Sequence, residues 1–380
     1  MRKHVHPVLG AALLLSAAGG AAHSQTFTNI IDPLNPTFTQ ALGINNSNTI
    51  VGYGNGSDFN GFVLTLPPVS GNFTRENFTN PSPPPGTLFT QVIGIDANGD
   101  TVGFYVSNPT VGTTSGFGKG NGGPFFNINQ SGFAFNQVLG VNEAGTETAG
   151  YSSTDPTGAT LQQAFTFDGT SFTNINALLP ANFNSQATGV NDAGTVVGFY
   201  QDDTAGDFSA FTDKAGVITS FEVPGSTSTQ ALGVNDKGEI VGDYVGASGQ
   251  MFGFLDNGGV FSTINPPGAT SSTANGINDL GRIVGFYSAA NGDTIGFVTS
   301  TVPEPATWAL LASGFLGLAL VGARARRAGP RSVGAQAIGY PGPPKRRRGL
   351  GRAGVVLKDV SSGWGYSAYG PSRVPWSQLP

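Results

Sequence analysis

Six copies of one phrase run through residues 26–300 and constrain the fold more than any other feature of the chain. Each copy begins with glycine, an aliphatic residue and Asn or Asp, and after a short turn it continues with IVGFY or a variant of it. The leading glycines are spaced by 51, 46, 49, 44 and 43 residues and are Gly43, Gly94, Gly140, Gly189, Gly233 and Gly276. Repetition at such a period is typical of proteins built from one repeated supersecondary unit.

Each repeat contains four strand candidates. In the fifth repeat they read STQALGVN, EIVGDYV, QMFGFLDN and VFSTINP. The turns between them, NDKG and DNGG, contain glycines that can supply a positive φ. Four short strands in about 45 residues match the blade of a β-propeller. The sequence therefore predicts an all-β fold, a six-bladed β-propeller-like domain over residues 25–301.

The two ends of the repeat region indicate how the blades are joined. The region starts at TFTNIIDPLNPTFTQALGIN, which aligns with a fourth strand, and it stops at DTIGFVTS, which aligns with a third. The N-terminal strand would thus complete the last blade and close a ring without an exposed edge. An open stack of β-repeats, which would begin and end on whole units, is the alternative.

The charge of the repeat region excludes one class of partner. Residues 25–301 contain five basic and 21 acidic residues, hence a net charge of −16. Phosphate binding depends on clustered Lys and Arg, so we expect no nucleic-acid partner. The chain contains no cysteine, which excludes disulfides, Cys-ligated zinc and thiol catalysis.

The N-terminus has the organisation of a secretory signal peptide. Arg2 and Lys3 form a basic segment, residues 8–18 are apolar, and the small residues of 22–24 favour cleavage before Gln25. A buried N-terminal helix is the alternative. The histidines of the chain, His4, His6 and His23, all precede that site. The mature protein would therefore lack a histidine base for serine or threonine catalysis.

A second apolar segment lies near the C-terminus. Residues 306–323 are uncharged, about the minimum length of a transmembrane helix, and Arg324, Arg326 and Arg327 follow directly. By the positive-inside rule these arginines would stay cytoplasmic while residues 25–301 lie outside. A helix buried in a globular domain is the alternative.

Pro303, Glu304 and Pro305 precede this segment. The prolines keep the three residues extended and accessible to a processing enzyme. With the apolar segment and the arginines, they resemble the PEP-CTERM sorting signal of Gram-negative bacteria over residues 302–327. The resemblance implies recognition by an exosortase-type membrane enzyme, transient anchoring in the inner membrane, and delivery of the protein to the cell envelope or extracellular matrix.

Two further features complete the domain organisation. The repeats resemble HAF-type extracellular repeats, which implies fold and export but no activity. Residues 328–380 are rich in Gly, Pro and Arg and are predicted to be a disordered basic tail. Proteins with a PEP-CTERM signal usually end soon after the arginines. A cytoplasmic extension, a lipid-surface contact and a shifted reading frame all remain open for the tail.

Three oxygen-bearing side chains in the second repeat, Asp96, Asn98 and Asp100, have a spacing that suits Ca²⁺. The bidentate glutamate of an EF-hand is missing, and a hairpin turn is needed at this place in any case. We therefore expect a structural turn and no cofactor, with calcium as the alternative.

A second acidic group, Asp202, Asp203 and Asp207, could supply the carboxylate pair of a glycoside hydrolase. It lies in the polar loop DDTAGD, where solvated acids are expected.

Aromatic pairs recur in the repeats. They are Phe104-Tyr105, Phe199-Tyr200 and Phe286-Tyr287. Packing between blades accounts for them, and stacking on a carbohydrate is the alternative.

The sequence thus predicts an exported envelope or matrix protein that acts by binding or scaffolding and is not an enzyme. Extracellular polysaccharide is the candidate ligand. A propeller-type enzyme acting on that polysaccharide is the alternative function.

Overall fold

The computed structural model describes residues 25–54, 61–68, 72–76, 90–108, 113–179, 184–201 and 207–300. In this part of the chain, 24 strands form six antiparallel four-stranded sheets, the blades of a six-bladed β-propeller. The predicted signal peptide, the sorting signal, its apolar segment and the basic C-terminal residues 328–380 lie outside the described residues. Among the described residues, none forms a helix with the length and hydrophobicity needed to span a bilayer.

The strands follow one another around the ring. The chain begins with β1 (Phe27–Ile30). Blade 1 contains β2 (Thr39–Ile44), β3 (Thr49–Gly54), β4 (Gly61–Thr65) and β5 (Phe73–Glu76). Blade 2 contains β6 (Thr90–Ile95), β7 (Thr101–Asn108), β8 (Thr113–Lys119) and β9 (Phe125–Asn127). Blade 3 contains β10 (Phe135–Val141), β11 (Thr148–Ser153), β12 (Gln162–Phe167) and β13 (Phe172–Asn174).

The second half repeats this arrangement after a short 3-10 turn, Asn176–Leu178. Blade 4 contains β14 (Ser185–Val190), β15 (Thr195–Gln201), β16 (Phe208–Lys214) and β17 (Val217–Phe221). Blade 5 contains β18 (Ser226–Val234), β19 (Ile240–Gly246), β20 (Met251–Asn257) and β21 (Val260–Ile264). Blade 6 contains β22 (Ala269–Ile277), β23 (Ile283–Ala289), β24 (Thr294–Thr299) and, as its outer strand, β1.

The ring closes through β1. This strand pairs antiparallel with β24, in a register that places Phe27 opposite Thr299 and Ile30 opposite Gly296. Ile30 is fully buried and packs in one cluster with residues of blades 1 and 6, including Phe62. The predicted closure is confirmed, and the open stack is wrong.

A phenylalanine and a glycine form the repeated packing unit of each blade. The third strands place six phenylalanines in the core, each at most 1% exposed: Phe62, Phe117, Phe165, Phe211, Phe254 and Phe297. A Cβ on Gly242 of β19 would lie 1.9 Å from the Gln230 carbonyl oxygen and 2.8 Å from the Phe254 ring. Only glycine fits there, which explains the glycine of the IVGFY phrase.

The first strands of the blades surround the axis and nearly close it. Each contains a β-bulge just before its leading glycine, as at Ala41/Gly43 and Ala274/Gly276. A Cβ on Gly43 would lie 2.3 Å from the Ile93 carbonyl oxygen of blade 2. A cavity of only about 70 Å³ remains at the axis. The two ends of the first strands therefore open on two separate mouths of the ring.

Candidate functional site

The mouth at the start of the first strands forms a funnel of about 470 Å³. One position of each first strand contributes to its wall. Five blades place glutamine there and blade 6 places threonine: Gln40, Gln91, Gln137, Gln186, Gln230 and Thr273. These six positions form a polar, uncharged ring, and aliphatic side chains that include Leu42, Ile93 and Leu139 line the funnel beside them.

Each residue of this polar ring pairs with a residue on the second strand of its blade. That residue is acidic in blade 5 and aromatic in the other five blades. In blade order these residues are Tyr53, Phe104, Tyr151, Phe199, Asp243 and Phe286. Phe104, Phe199 and Phe286 line the funnel together with Asp243. The described lining of the funnel thus combines amide groups, aromatic rings, aliphatic side chains and one carboxyl group.

Asp243 and Thr273, the two residues that depart from the sixfold pattern, are neighbours in the wall. The regular pattern is seen between blades 1 and 2, where the side chains of Tyr53 and Gln91 are hydrogen-bonded. At the equivalent contact between blades 5 and 6, the Thr273 hydroxyl hydrogen-bonds the Asp243 carboxyl group. Both replacements are shorter than the residues of the other blades. In blade 5, the cavity also extends outward to Met251 on the third strand.

Asp243 is a buried acid that faces the funnel. Its residue is 7% exposed, and burial raises the pKa of its carboxyl group to about 7, against the opposing effect of the Thr273 hydrogen bond. The described residues that line the funnel include no Lys, Arg or His. Within the described ranges the one ion pair, Arg75 with Asp32, joins β5 to the segment after β1 and not to this site.

The opposite mouth is formed by the turns between the first and second strands of the blades. We call these turns the corners, and several contain an Asn-Asp pair, such as Asn235-Asp236. Side-chain oxygens accept backbone N–H groups from the preceding blades: Asp192 N to Asp236, Asp236 N to Asp279 and Asp279 N to Asn46, over 2.7–2.8 Å. Asn46 N donates in turn to Glu143 across blade 2. These contacts form a girdle that ties the blades together around the axis.

The girdle concentrates negative charge. Burial raises the pKa of Glu143 to about 7, and Asp279, Asp192 and Asp96 add repulsion. No group of three or more His, Cys, Asp or Glu side chains with the geometry to hold a metal ion occurs in the described ranges. The structure supports one role for the girdle, which is to join the blades by hydrogen bonds.

Asp96, Asn98 and Asp100, for which calcium binding is the alternative to a structural turn, lie in a turn. The Asp96 Oδ1 atom accepts the backbone N–H groups of Asn98 and Asp100, and Asp100 Oδ1 accepts Asn121 N. The Oδ2 atoms of Asp96 and Asp100 are buried and have no partner in the described part of the chain. Burial raises the pKa of Asp96 to about 6, with repulsion from Asp100. The preferred interpretation, a structural turn, agrees with these bonds.

Most of the other sequence candidates lie outside the described residues. Asp207 precedes β16, whereas Asp202 and Asp203 lie outside the described residues. The sorting residues 303–305 and the arginines after 323 also lie outside them. Tyr105, Tyr200 and Tyr287 are 6–8% exposed, as packing between blades requires.

Sequence reasoning named three funnel residues, Phe104, Phe199 and Phe286, as packing residues with carbohydrate stacking as the alternative. It missed Asp243 and the ring of glutamines. The repeat alignment contained the signal, because Asp243 interrupts the phrase IVGFY as IVGDY. The glutamines precede each leading glycine by three residues in five of the six repeats. A comparison of equivalent positions between repeats, column by column, would have found both.

Residues 301–327 match the family model described as the PEP-CTERM protein-sorting motif. Such motifs are processed by exosortase, a membrane enzyme, and the match indicates an exported protein that is anchored in the membrane by its C-terminus. It covers a small part of the chain, and the resemblance to HAF-type repeats stays a prediction. No curated protein matches the chain.

Several solved structures resemble the chain at low identity. TolB from Acinetobacter baumannii is 9% identical with a TM-score of 0.42, over 69% of this chain and 63% of TolB. A mutant of AofleA from Arthrobotrys oligospora is 11% identical with a TM-score of 0.40, over 74% and 87% of the two chains. Trypanosoma rangeli sialidase is 8% identical with a TM-score of 0.44, over 72% and 55%. Likeness at this level carries no argument about function.

Proposed function

We propose that this protein is an exported, membrane-sorted propeller that binds a saccharide of the extracellular polysaccharide in its funnel. The observation that carries the proposal is the composition of the funnel wall, with amides from five blades, a Thr hydroxyl and aromatic rings around one cavity. An amide offers both donors and an acceptor, which complement sugar hydroxyl groups. Aromatic faces complement the apolar C–H face of a sugar ring.

The size and the charge of the funnel agree with such a ligand. A cavity of about 470 Å³ falls within the range of about 300–1,000 Å³ that small-molecule sites occupy. The acidic propeller repels anions, so a neutral or cationic ligand is favoured. Binding in the funnel requires no cofactor.

Binding is favoured over hydrolysis by the number of acids. Glycoside hydrolases use two carboxyl groups that flank the bond to be cleaved. The described lining of the funnel contains one, Asp243. An enzyme acting on the same polysaccharide is the second candidate. It predicts release of reducing ends over time and a loss of that release, with retained binding, in Asp243→Asn.

The proposed route places the propeller outside the cytoplasm before an exosortase-type enzyme removes the C-terminal segment. The intact mass of protein recovered from envelope and medium tests this route. A species from about Gln25 to near Pro303 supports it. Full-length protein in the cytosol contradicts it, and a variant lacking Pro303–Pro305 should accumulate uncleaved in the membrane.

The binding experiment uses two glutamines whose side chains make no hydrogen bond within the described residues, Gln137 and Gln230. We expect the double alanine variant to bind the polysaccharide of the producing bacterium about 5- to 150-fold more weakly, because two ligand hydrogen bonds are worth about 1–3 kcal/mol together. Asp236→Asn, at the opposite mouth, is the control. Equal affinity of the wild-type protein and the double variant would refute the funnel as the binding site.

A further inference from the structure

We propose that the saccharide bound in the funnel carries a free amino group and that Asp243 binds its ammonium. This inference rests on the proposed function and names the class of ligand. It follows from three features of one place in the wall: a buried acid, a local widening of the cavity, and aromatic residues on the neighbouring blades.

The first feature is an acid without a cation of its own. Asp243 lines the cavity, is 7% exposed, and is hydrogen-bonded by the side chain of Thr273. In the part of the chain that the structure describes, no basic residue lines the funnel. A buried carboxylate is costly unless a cation or several donors compensate it. One hydroxyl supplies a single donor, so an ammonium entering from the cavity would complete the environment of the acid.

The second feature is space at this place in the ring. An aromatic side chain at the position of Asp243 and a glutamine at the position of Thr273 would follow the rule of the other blades. Aspartate and threonine are both shorter, and here the cavity extends to Met251. The two departures are in contact with each other. We call this place between blades 5 and 6 the notch, and in this proposal it receives the amino substituent of the ligand.

The third feature is the pair of rings on the neighbouring blades. Phe199 of blade 4 and Phe286 of blade 6 line the same cavity. An ammonium near an aromatic face gains about 0.5–2 kcal/mol from the ring quadrupole. The net charge of −16 over residues 25–301 also attracts cationic ligands at long range. The glutamines remain available for the hydroxyl groups of the same sugar.

The test compares oligosaccharides of equal length and linkage made of glucosamine or of N-acetylglucosamine. Acetylation removes the charge and leaves the ring hydroxyls in place. Calorimetric titration of the full chain should show at least tenfold tighter binding of the glucosamine oligomer, since a charge-assisted hydrogen bond is worth about 1.5–3 kcal/mol. The preference should disappear in Asp243→Asn.

Two more variants check the site. Asp243→Phe restores the aromatic residue of blades 2, 4 and 6 and should fill the notch, so that binding of the glucosamine oligomer is lost. Asp236→Asn removes a carboxylate at the opposite mouth and should keep the full preference. Circular dichroism shows that each variant is folded. The comparison of the two oligomers on wild-type protein needs no variant.

The outcomes separate this inference from the proposed function. Equal binding of both oligomers by the wild-type protein overturns the amino-group inference and leaves saccharide binding in place. Binding of neither oligomer also overturns it, and the proposed function is then decided by the polysaccharide of the producing bacterium. A simple alkyl diamine that binds as tightly as the glucosamine oligomer would reduce the notch to a general cation site.

Discussion

Replacing Ile30 by alanine should weaken the closure of the ring. Ile30 ends β1, the strand that comes from the start of the chain and completes blade 6. Its side chain is fully buried, in a cluster that joins Ala41 and Phe62 of blade 1 to Val284 and Val298 of blade 6. The substitution removes three carbon atoms from this junction and leaves the backbone pairing of β1 intact.

The expected loss is about 3 kcal/mol in the free energy of unfolding. Buried Ile→Ala substitutions cost about 2–5 kcal/mol, and the value rises where the surroundings cannot collapse into the cavity. Here the cluster lies between two sheets, those of blade 6 and blade 1, so the surroundings cannot easily collapse into the cavity. The adjacent Ile31 is 43% exposed and provides a matched control. Its replacement by alanine should change the free energy by less than about 0.5 kcal/mol.

Urea denaturation of the full chain, followed by far-UV circular dichroism, measures both values. Limited proteolysis adds a local readout, because an open ring should release β1 before the other strands. A loss in Ile30→Ala no larger than in Ile31→Ala would show that β1 does not close the ring through its core, and the packing argument would fail.

Three further predictions concern buried acids. Asp243→Asn should leave the stability unchanged near pH 4 and raise it by at most about 4 kcal/mol near pH 8, measured by urea denaturation. Burial raises the pKa of Asp243 from 3.8 to about 7, so the wild-type protein loses stability as the pH rises through this window; equal pH profiles would contradict this. Arg75→Met should cost about 3 kcal/mol at pH 7, because it leaves the fully buried Asp32 without its cation. Hydrogen bonds from Arg75 and Asn35 outweigh burial and lower the pKa of Asp32, so this difference should shrink as acid protonates Asp32, and a constant difference down to about pH 2 would refute it. Asp96→Asn should raise the free energy of unfolding by about 1–2 kcal/mol at pH 7.5 and not at about pH 4, since burial raises the pKa of Asp96 to about 6. Stabilisation of the wild-type protein by added Ca²⁺ that is lost in this variant would instead indicate a cation site.

The architecture could be predicted because it depends on what the repeats share. The repeat region starts with a fourth strand and stops after a third, which predicts that the N-terminal strand completes the last blade. Phe27 does pair with Thr299. The corner glycines supply the expected positive φ, as at Gly238 with a φ of 79°. Such features are repeated six times, so chance variation in one copy does not hide them.

The candidate site could not be predicted in the same way, because it depends on where one repeat differs from the rest. Gln40 and Gln186 lie far apart in the sequence, and only closure of the ring brings their strands to one mouth. Read alone, the Asp243 of IVGDY is one acid among 21 in residues 25–301. Its contact with Thr273 crosses from blade 5 to blade 6, and no local spacing reveals a contact between blades.

Two buried acids replace neutral residues of the repeat, and their surroundings differ. Asp96 stands where the other blades have asparagine, and the equivalent Asn191 and Asn235 donate to a carbonyl of the next blade. Its unpartnered oxygen is enclosed in the corner, so the substitution removes a hydrogen bond and its effect falls on stability. Asp243 stands where the other blades have an aromatic residue and faces the cavity. Under the proposed function a ligand reaches this acid from the cavity, and its binding would offset the stability that burial of the acid costs.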